Sequence, residues 1–509
     1  MKNPLTLILN MKIYNYLMLF LLSGALLTSC SNDDMDDLPE KEELPGEEPE
    51  ENLELEIKDF VWKGMNEIYV YKSQVPELGD NFFATQTELN DYLDDWDSPE
   101  DLFYDGLVID NDRFSFITDD YIALENSFSG ISETTGVDFR LYRFSDSDNL
   151  FGVVRYIIPG SNAASADIER GDLFRRLNGQ DLTIANYRDI LASSSITFEI
   201  AKLEDNTVTP TGESVTIATQ TITENPILVS KVLDVNGAKV GYLLYNSFIG
   251  DFDDELNAAF AKFQAENVTD LILDLRYNGG GSVRSATRLA SMITGQFTGD
   301  VFAKQRWNST YQNFFLSNNP DRLFNRFTNT GEGGETLNSL SLSKLYTIVS
   351  SSSASASELV INGLEPYIDV IQIGDMTVGK SQASVTLYDS DDFGREGANP
   401  DHTYAIQPLV YESVNSNDVG VPFDGLTPDV EIIEDISNLG VLGEESDPLL
   451  KAALEAVAGN RSFSDYQTKA YWYNEFTETG ASNPAYRRMY IEKLPETEGH
   501  KKRLDFDKK

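Results

Sequence analysis

The chain has 509 residues, about three domains' worth at roughly 150 residues each. Its 41% apolar and 24% charged residues are globular usage, and 35 glycines with 18 prolines exclude a collagen-like or proline-rich linker protein. Eighty-four aspartates and glutamates against 39 lysines and arginines leave a net charge of −45, which repels phosphate backbones and argues against nucleic acid as a partner. The single cysteine, Cys30, excludes an intrachain disulfide. With only His402 and His500 beside it, a zinc site of usual ligation is hard to assemble, and no metal or organic cofactor is expected.

The first segment reads as an address. Leu17 to Leu27, LMLFLLSGALL, follows Lys12: a short apolar run behind a positive charge, too short to span a membrane and shaped like a signal peptide. Met11 gives a better-shaped leader than Met1. The run ends in Leu27-Thr28-Ser29-Cys30, which resembles a lipoprotein signal with Cys30 as the lipidated residue. From Asp33 to Glu56 there are thirteen acidic residues and one lysine, Lys41. Such a block cannot bury apolar surface and reads as a solvated tether. Acidic residues directly behind the cysteine also resemble the surface-export signal of Bacteroidetes lipoproteins. The expected boundaries are a leader at 1–30 and a disordered tether at 31–54.

Residues 55–126 read as a small helical region. Leu89, Tyr92, Leu93 and Trp96 recur at helical spacing and are expected in its core, with no chemistry visible there. From 127 to 205 the pattern changes to short alternating strands, VDFRLYRF, LFGVVRYII and ITFEIAKL. Between them, Ala163, Ala164 and Ala166 begin a short helix. Asn178-Gly179 marks a tight hairpin after LFRRL. The segment is similar to a PDZ domain, whose strand–helix groove takes an extended peptide by strand addition; a β-rich spacer that binds nothing is the plainer alternative. Residues 206–435 alternate strand and helix. The apolar runs LILDL, LYTIV and VIQIG suit strands covered on both faces of an α/β layer. A polar insertion at 297–340, containing Trp307, is expected to form a lid or specificity loop. A C-terminal helical tail is expected at 436–509, beginning with DPLLKAALEAVAGN.

Two segments depart from plain α/β architecture. In Asp274-Leu275-Arg276-Tyr277-Asn278-Gly279-Gly280-Gly281, three glycines after a buried strand permit backbone angles that side chains forbid and expose N–H groups on a turn. Neither Gly-Lys-Ser/Thr nor spaced glycines accompany them, so a phosphate cradle is not indicated. In Ser353-Ala354-Ser355-Ala356-Ser357-Glu358 a serine stands at a helix N-terminus, where free N–H groups favour developing negative charge. That placement suits an acyl-transfer nucleophile. It equally suits a helix cap, since Ser355 and Glu358 have capping-box spacing. A serine nucleophile needs a base. Both histidines lie in polar or charged segments, which leaves lysine, effective only where burial removes its proton. Lys380 ends VIQIGDMTVGK, a strand in a lysine-poor stretch.

Together, DLRYNGGGS, SASASELVINGL and TVGKS resemble the C-terminal processing proteases, the S41 serine peptidases, in motif order and with the PDZ-like segment in the expected place. The resemblance spans about residues 127–433. It implies a multidomain α/β (α+β) chain with a small helical N-terminal region, a PDZ-like β-rich domain and a crotonase-like ββα protease core. It also implies a Ser-Lys dyad of Ser355 and Lys380. The oxyanion hole would come from the N–H groups of Ala356 and of Gly279 or Gly280, with Glu358 and Thr377 supporting the dyad. The family often has a glutamine four residues after the lysine. Here that position is Ser384, with Gln382 nearby, so the group orienting Lys380 is Ser384, Gln382 or neither.

The expected function is a serine-type endopeptidase acting on exported proteins or peptides, captured by the PDZ-like domain through a segment such as the C-terminus. The protein would be lipid-anchored through Cys30 to the outer membrane, on its periplasmic face or at the cell surface. The alternative is an inactive protease-fold surface lipoprotein that binds peptides or proteins. An α/β-hydrolase esterase is disfavoured, because no Gly-x-Ser-x-Gly surrounds Ser355.

Overall fold

The computed structural model of the chain describes residues 50–459, 472–484 and 486–495. The leader, Cys30 and the tether as far as residue 49 lie outside the described residues. The first helix, Glu50–Ile68, begins inside the stretch read as tether. Ile57, Phe60, Val61, Met65 and Ile68 recur at three- and four-residue spacing and are buried together, so packing rather than composition decides where the helix starts. In the next long helix, Gln86–Asp94, Thr85 caps the end by accepting from Glu88 N at 3.2 Å, and Leu89 and Leu93 are fully buried.

The β-rich domain is an antiparallel sheet of Val137–Phe144, Leu150–Ile157, Leu173–Leu177, Ser195–Glu204 and Thr207–Ala218. Phe139, Leu141, Val154, Phe174, Leu177 and Phe198 form its core. Asn178 and Gly179 take φ of 50° and 77°, the tight turn that the Asn-Gly pair announces. A short helix, Tyr187–Leu191, lies beside the sheet.

The α/β layer has a sheet of six strands in the order Ile227–Val235, Ala238–Tyr245, Asp270–Asp274, Lys344–Val349, Asp369–Gly374 and Val430–Glu431, parallel from the second strand onward. Side chains alternate across it. Leu243, Tyr245, Leu271 and Leu273 pack with Phe260, Leu289 and Val360 of three covering helices. Val240, Tyr242, Leu244 and Ile272 pack with Leu449, Leu450 and Ala453 of the helix Pro448–Val457. Burial on both faces explains the unbroken apolar runs of these strands.

Three expectations are corrected. The 297–340 insertion is not a free lid: Val301–Trp307 and Phe324–Arg326 are strands of a second six-stranded sheet, and the Trp307 ring packs at 5.6 Å from Tyr311 and 4.9 Å from Tyr411. The strand before Lys380 stops at Gly374, so the lysine stands on an irregular loop. The C-terminal region is not all helix: after Pro448–Val457, the described part contributes strands Tyr473–Glu478 and Met489–Tyr490. Neither carries an apolar or alternating strand pattern of its own, and each is fixed by pairing with strands far away in sequence.

Candidate active site

The serine turn and the glycine turn are built as one unit. After the buried strand Asp270–Asp274, Asn278 donates through Nδ2 to Tyr245 O at 2.8 Å, and its Oδ1 accepts Gly280 N at 2.8 Å. Its carbonyl accepts Ala354 N at 3.1 Å and Ser357 Oγ at 3.0 Å. Ser353 Oγ donates to Leu275 O at 2.8 Å. These bonds hold Ser355 against the glycines. A Cβ on Gly280, whose φ is 109°, would stand 2.8 Å from Ser355 Cβ, so no side chain fits there.

Ser355 opens the helix Ala356–Leu364 with φ 64° and ψ −111°. Positive φ is unusual for serine and costs on the order of 1–3 kcal/mol, sustained only where the surroundings impose it. What imposes it is Glu358. Its Oε2 accepts Ser355 N at 2.7 Å and Lys380 N at 2.9 Å, and its Oε1 accepts Thr377 Oγ1 at 2.5 Å and Gly379 N at 2.7 Å. One buried carboxylate thus fastens the serine turn to the lysine loop. Burial pushes this carboxyl above the ordinary range, against the pull of the four donors. Glu358 meets the Ser355 amide as in a capping box, but Ser355 Oγ itself is buried without a hydrogen-bond partner among the described residues. Ala356 N–H, first in the helix, has no intrahelical acceptor.

Lys380 is fully buried. Burial, and then the Arg488 guanidinium, hold its amine well below the ordinary lysine value, with Asp112 and Glu358 opposing. Nζ lies 4.9 Å from the centre of the Phe114 ring and donates to Arg487 O at 3.1 Å. No hydrogen bond joins Nζ to Ser355 Oγ. Neither residue expected to orient the amine does so. Ser384 Oγ lies within hydrogen-bond reach of Gln407 Oε1 at 2.6 Å and Met489 O at 3.1 Å, and Gln382 is engaged with the Tyr71 hydroxyl.

The structure therefore gathers Ser355, Ala356, Glu358, Thr377, Lys380, Gly279 and Gly280 into one site, buried but for a half-buried Gly279, with Gln382 and Ser384 on the strand that follows Lys380. The amide of Gly280 is committed to Asn278, unlike that of Gly279. Sequence reasoning missed Phe114, Arg113, Arg487 and Arg488. Arg113 Nη2 donates to Gly379 O at 2.7 Å, so the N-terminal region, which showed no chemistry, walls the lysine loop. A pocket of about 390 Å³ opens beside it, lined by Phe114, Gln382, Tyr71, Ile109, Leu409 and Phe423. No motif in the N-terminal or C-terminal segments signalled these contacts, because they arise only when distant segments meet.

Residues 239–432 match the model of peptidase family S41, and residues 56–116 match the peptidase S41 N-terminal domain. The chain is 24% identical over 350 residues to a carboxyl-terminal-processing protease of Picosynechococcus, covering 68% of this chain and 75% of that one. Against a carboxyl-terminal-processing protease of Synechocystis it is 22% identical over 308 residues, 59% of this chain and 64% of the relative. In three dimensions it resembles a Bacteroides fragilis chain assigned to the S41 proteases, with a TM-score of 0.62, 25% identity, and coverage of 79% of this chain and 97% of the other. On these matches the chain belongs to peptidase family S41 and is a serine-type peptidase, a hydrolase of protein or peptide substrates.

Proposed function

We propose that Ser355 is the nucleophile and Lys380 the general base of an endopeptidase. The observation that carries this is Glu358, which binds the backbone amides of both residues with one carboxylate. A neutral Lys380 would take the proton from Ser355 Oγ as it attacks the scissile carbonyl. The oxyanion would be met by the N–H of Ala356 and that of Gly279, since Gly280 N is already bonded to Asn278. Collapse of the tetrahedral intermediate expels the amine, which takes the proton back from the Lys380 ammonium, and leaves an acyl-enzyme; water then attacks it as Lys380 accepts a proton and returns it to the departing Ser355 Oγ. The pocket beside Phe114 and Gln382 would seat a substrate side chain. The β-rich domain at 127–205 would act as a PDZ-like module, taking an extended peptide on the edge of Val137–Phe144. We further propose that Cys30 is lipidated and holds the enzyme at the outer membrane.

The inactive-scaffold reading draws on the missing hydrogen bond between Ser355 Oγ and Lys380 Nζ. Peptide turnover separates the two. Ser355→Ala is expected to lower cleavage at least about 10³-fold with unchanged folding. Equal turnover by wild type and Ser355→Ala would refute the assignment.

A further inference from the structure

The partner that takes the amine of Lys380 belongs to the chain's own C-terminal segment, and that segment runs through every part of the site. Tyr473–Glu478 adds antiparallel to the edge of Val137–Phe144, with Tyr473 opposite Phe144 and Glu478 opposite Arg140. The Phe476 ring meets Tyr187 of the short helix at 5.3 Å. A strand thus already lies along the sheet edge beside that helix, the place where strand addition would seat a peptide.

Glu478 then enters a buried cationic clamp. Its Oε2 accepts from Arg140 Nη2 at 3.1 Å, from Arg155 Nη1 and from Ser352 Oγ; its Oε1 accepts from the Tyr486 hydroxyl and, at 3.4 Å, from Arg487 Nη2. Arg140 and Arg155 are both buried, and Ser352 lies three residues before Ser355. Farther on, Met489–Tyr490 pairs parallel with Gly281–Ser282, and Tyr490 pairs parallel with Ser384; Ile491 N donates to Ser384 O at 3.0 Å. Arg487 O takes the Lys380 ammonium or amine, and Arg488 O stands 2.7 Å from the point where a Cβ on Gly280 would lie, the same point that is 2.8 Å from Ser355 Cβ. Main chain therefore fills the space between nucleophile, base and glycine turn.

We propose that residues 473–484 and 486–491 are a tethered substrate mimic, and that the Arg140–Arg155–Ser352 clamp now filled by Glu478 is a subsite for a carboxylate on an extended peptide substrate. The assignment of the segment as a substrate mimic rests on the catalytic reading of Ser355; the clamp as a peptide-carboxylate site does not. Physical reasoning favours a carboxylate occupant. Arg155 keeps Asp138, bound through Nε at 2.6 Å and Nη2 at 3.1 Å. Arg140 pairs with Glu475 and Glu478, both on the tail, so displacing the tail leaves one buried guanidinium without an anion and favours an occupant that replaces the charge. An acidic side chain and a free C-terminal carboxylate both supply it. The same displacement frees Lys380 Nζ from Arg487 O.

The test uses the full chain carrying a site-specific protease recognition sequence between Gly459 and Trp472, so that the tail is cut from the folded protein. In a Ser355→Ala background, a labelled peptide of sequence Trp472–Glu492, amidated at its C-terminus, is expected to bind the cut chain and exchange with the severed tail, and to bind the uncut chain at least about tenfold less. Replacing the peptide's Glu478 equivalent by Gln should weaken binding about tenfold or more. A Gln-bearing peptide that ends at that position with a free carboxylate restores binding if the clamp reads a C-terminus, and fails to if it reads a side chain. With Ser355 present, cutting should raise peptide hydrolysis, and added tail peptide should suppress it. A cut, still folded chain that binds the peptide no better than the uncut one, or binds Gln as well as Glu, overturns the proposal. Binding without any turnover would instead strike at the catalytic reading of Ser355.

Discussion

Ser355 holds a backbone conformation that serine avoids, and Lys380 holds an amine where water cannot reach it; both are fastened by Glu358. Lysine burial has a thermodynamic signature. Between the lowered value of Lys380 and its ordinary value of 10.5, the unfolded chain binds a proton that the folded chain does not, so stability rises with pH across that window. Lys380→Met removes the amine while keeping its stem. The variant is expected to lose turnover, to melt higher than wild type at neutral pH, and to lose the alkaline rise in stability; paired thermal melts across pH check this. The serine-rich turn and Lys380 stood out in the sequence, but only the resemblance of DLRYNGGGS, SASASELVINGL and TVGKS to the S41 peptidases paired them, and the strand expected to end at Lys380 stops at Gly374. Phe114 and Arg488, which shape the lysine's surroundings, did not stand out: an aromatic and an arginine in unremarkable segments carry no mark of what they will face.

The elements around the site divide by where their constraints lie. Strands such as Asp270–Asp274 and Lys344–Val349 are apolar runs whose fate is written locally, and they stand where their pattern places them. The lysine loop was less legible, because Gly374 with φ 131° ends the strand that composition would continue. Gly379, at φ 82°, shows why this loop has its shape: a Cβ there would stand 2.1 Å from Phe423 O. Gly379→Ala must therefore push the loop from Phe423, dragging Lys380 N from Glu358. We expect it to destabilise the fold by about 2 kcal/mol or more and to lower kcat beyond what the lost folded fraction explains. Urea unfolding together with kinetics on the folded fraction tests the expectation. The strands Tyr473–Glu478 and Met489–Tyr490 could not be read at all, since they lack an apolar or alternating pattern and become strands only by pairing with partners far away in sequence.

At the scale of the molecule, buried charge joins the β-rich domain to the core. Glu434 accepts from Arg170 Nη2 at 2.9 Å, Arg276 Nη1 at 3.1 Å and the Tyr277 hydroxyl at 2.7 Å, linking the two domains and the base of the glycine turn. Burial alone would raise this carboxyl, but the Arg170 and Arg276 guanidiniums bring it down to about 2 from 4.5. A depressed carboxylate contributes stability that is present above its unfolded value and lost as pH falls toward the folded one. The joint should weaken below about pH 4.5 for this reason. Glu434→Gln leaves two buried guanidiniums short of a partner and is expected to cost about 3–5 kcal/mol by urea unfolding at neutral pH, and to blunt the acid-side loss. A cost below about 1 kcal/mol would show that the joint does not depend on it.

The central claim is that Lys380 deprotonates Ser355. Its most direct measurement is the rate at which a small acylating serine probe modifies the folded chain, followed by mass spectrometry from neutral to alkaline pH. The account predicts a single adduct on Ser355 whose rate climbs with pH through a half-point below the ordinary lysine range, and which is lost in Lys380→Met. An adduct elsewhere, or Ser355 labelled equally fast with and without the lysine, would contradict it.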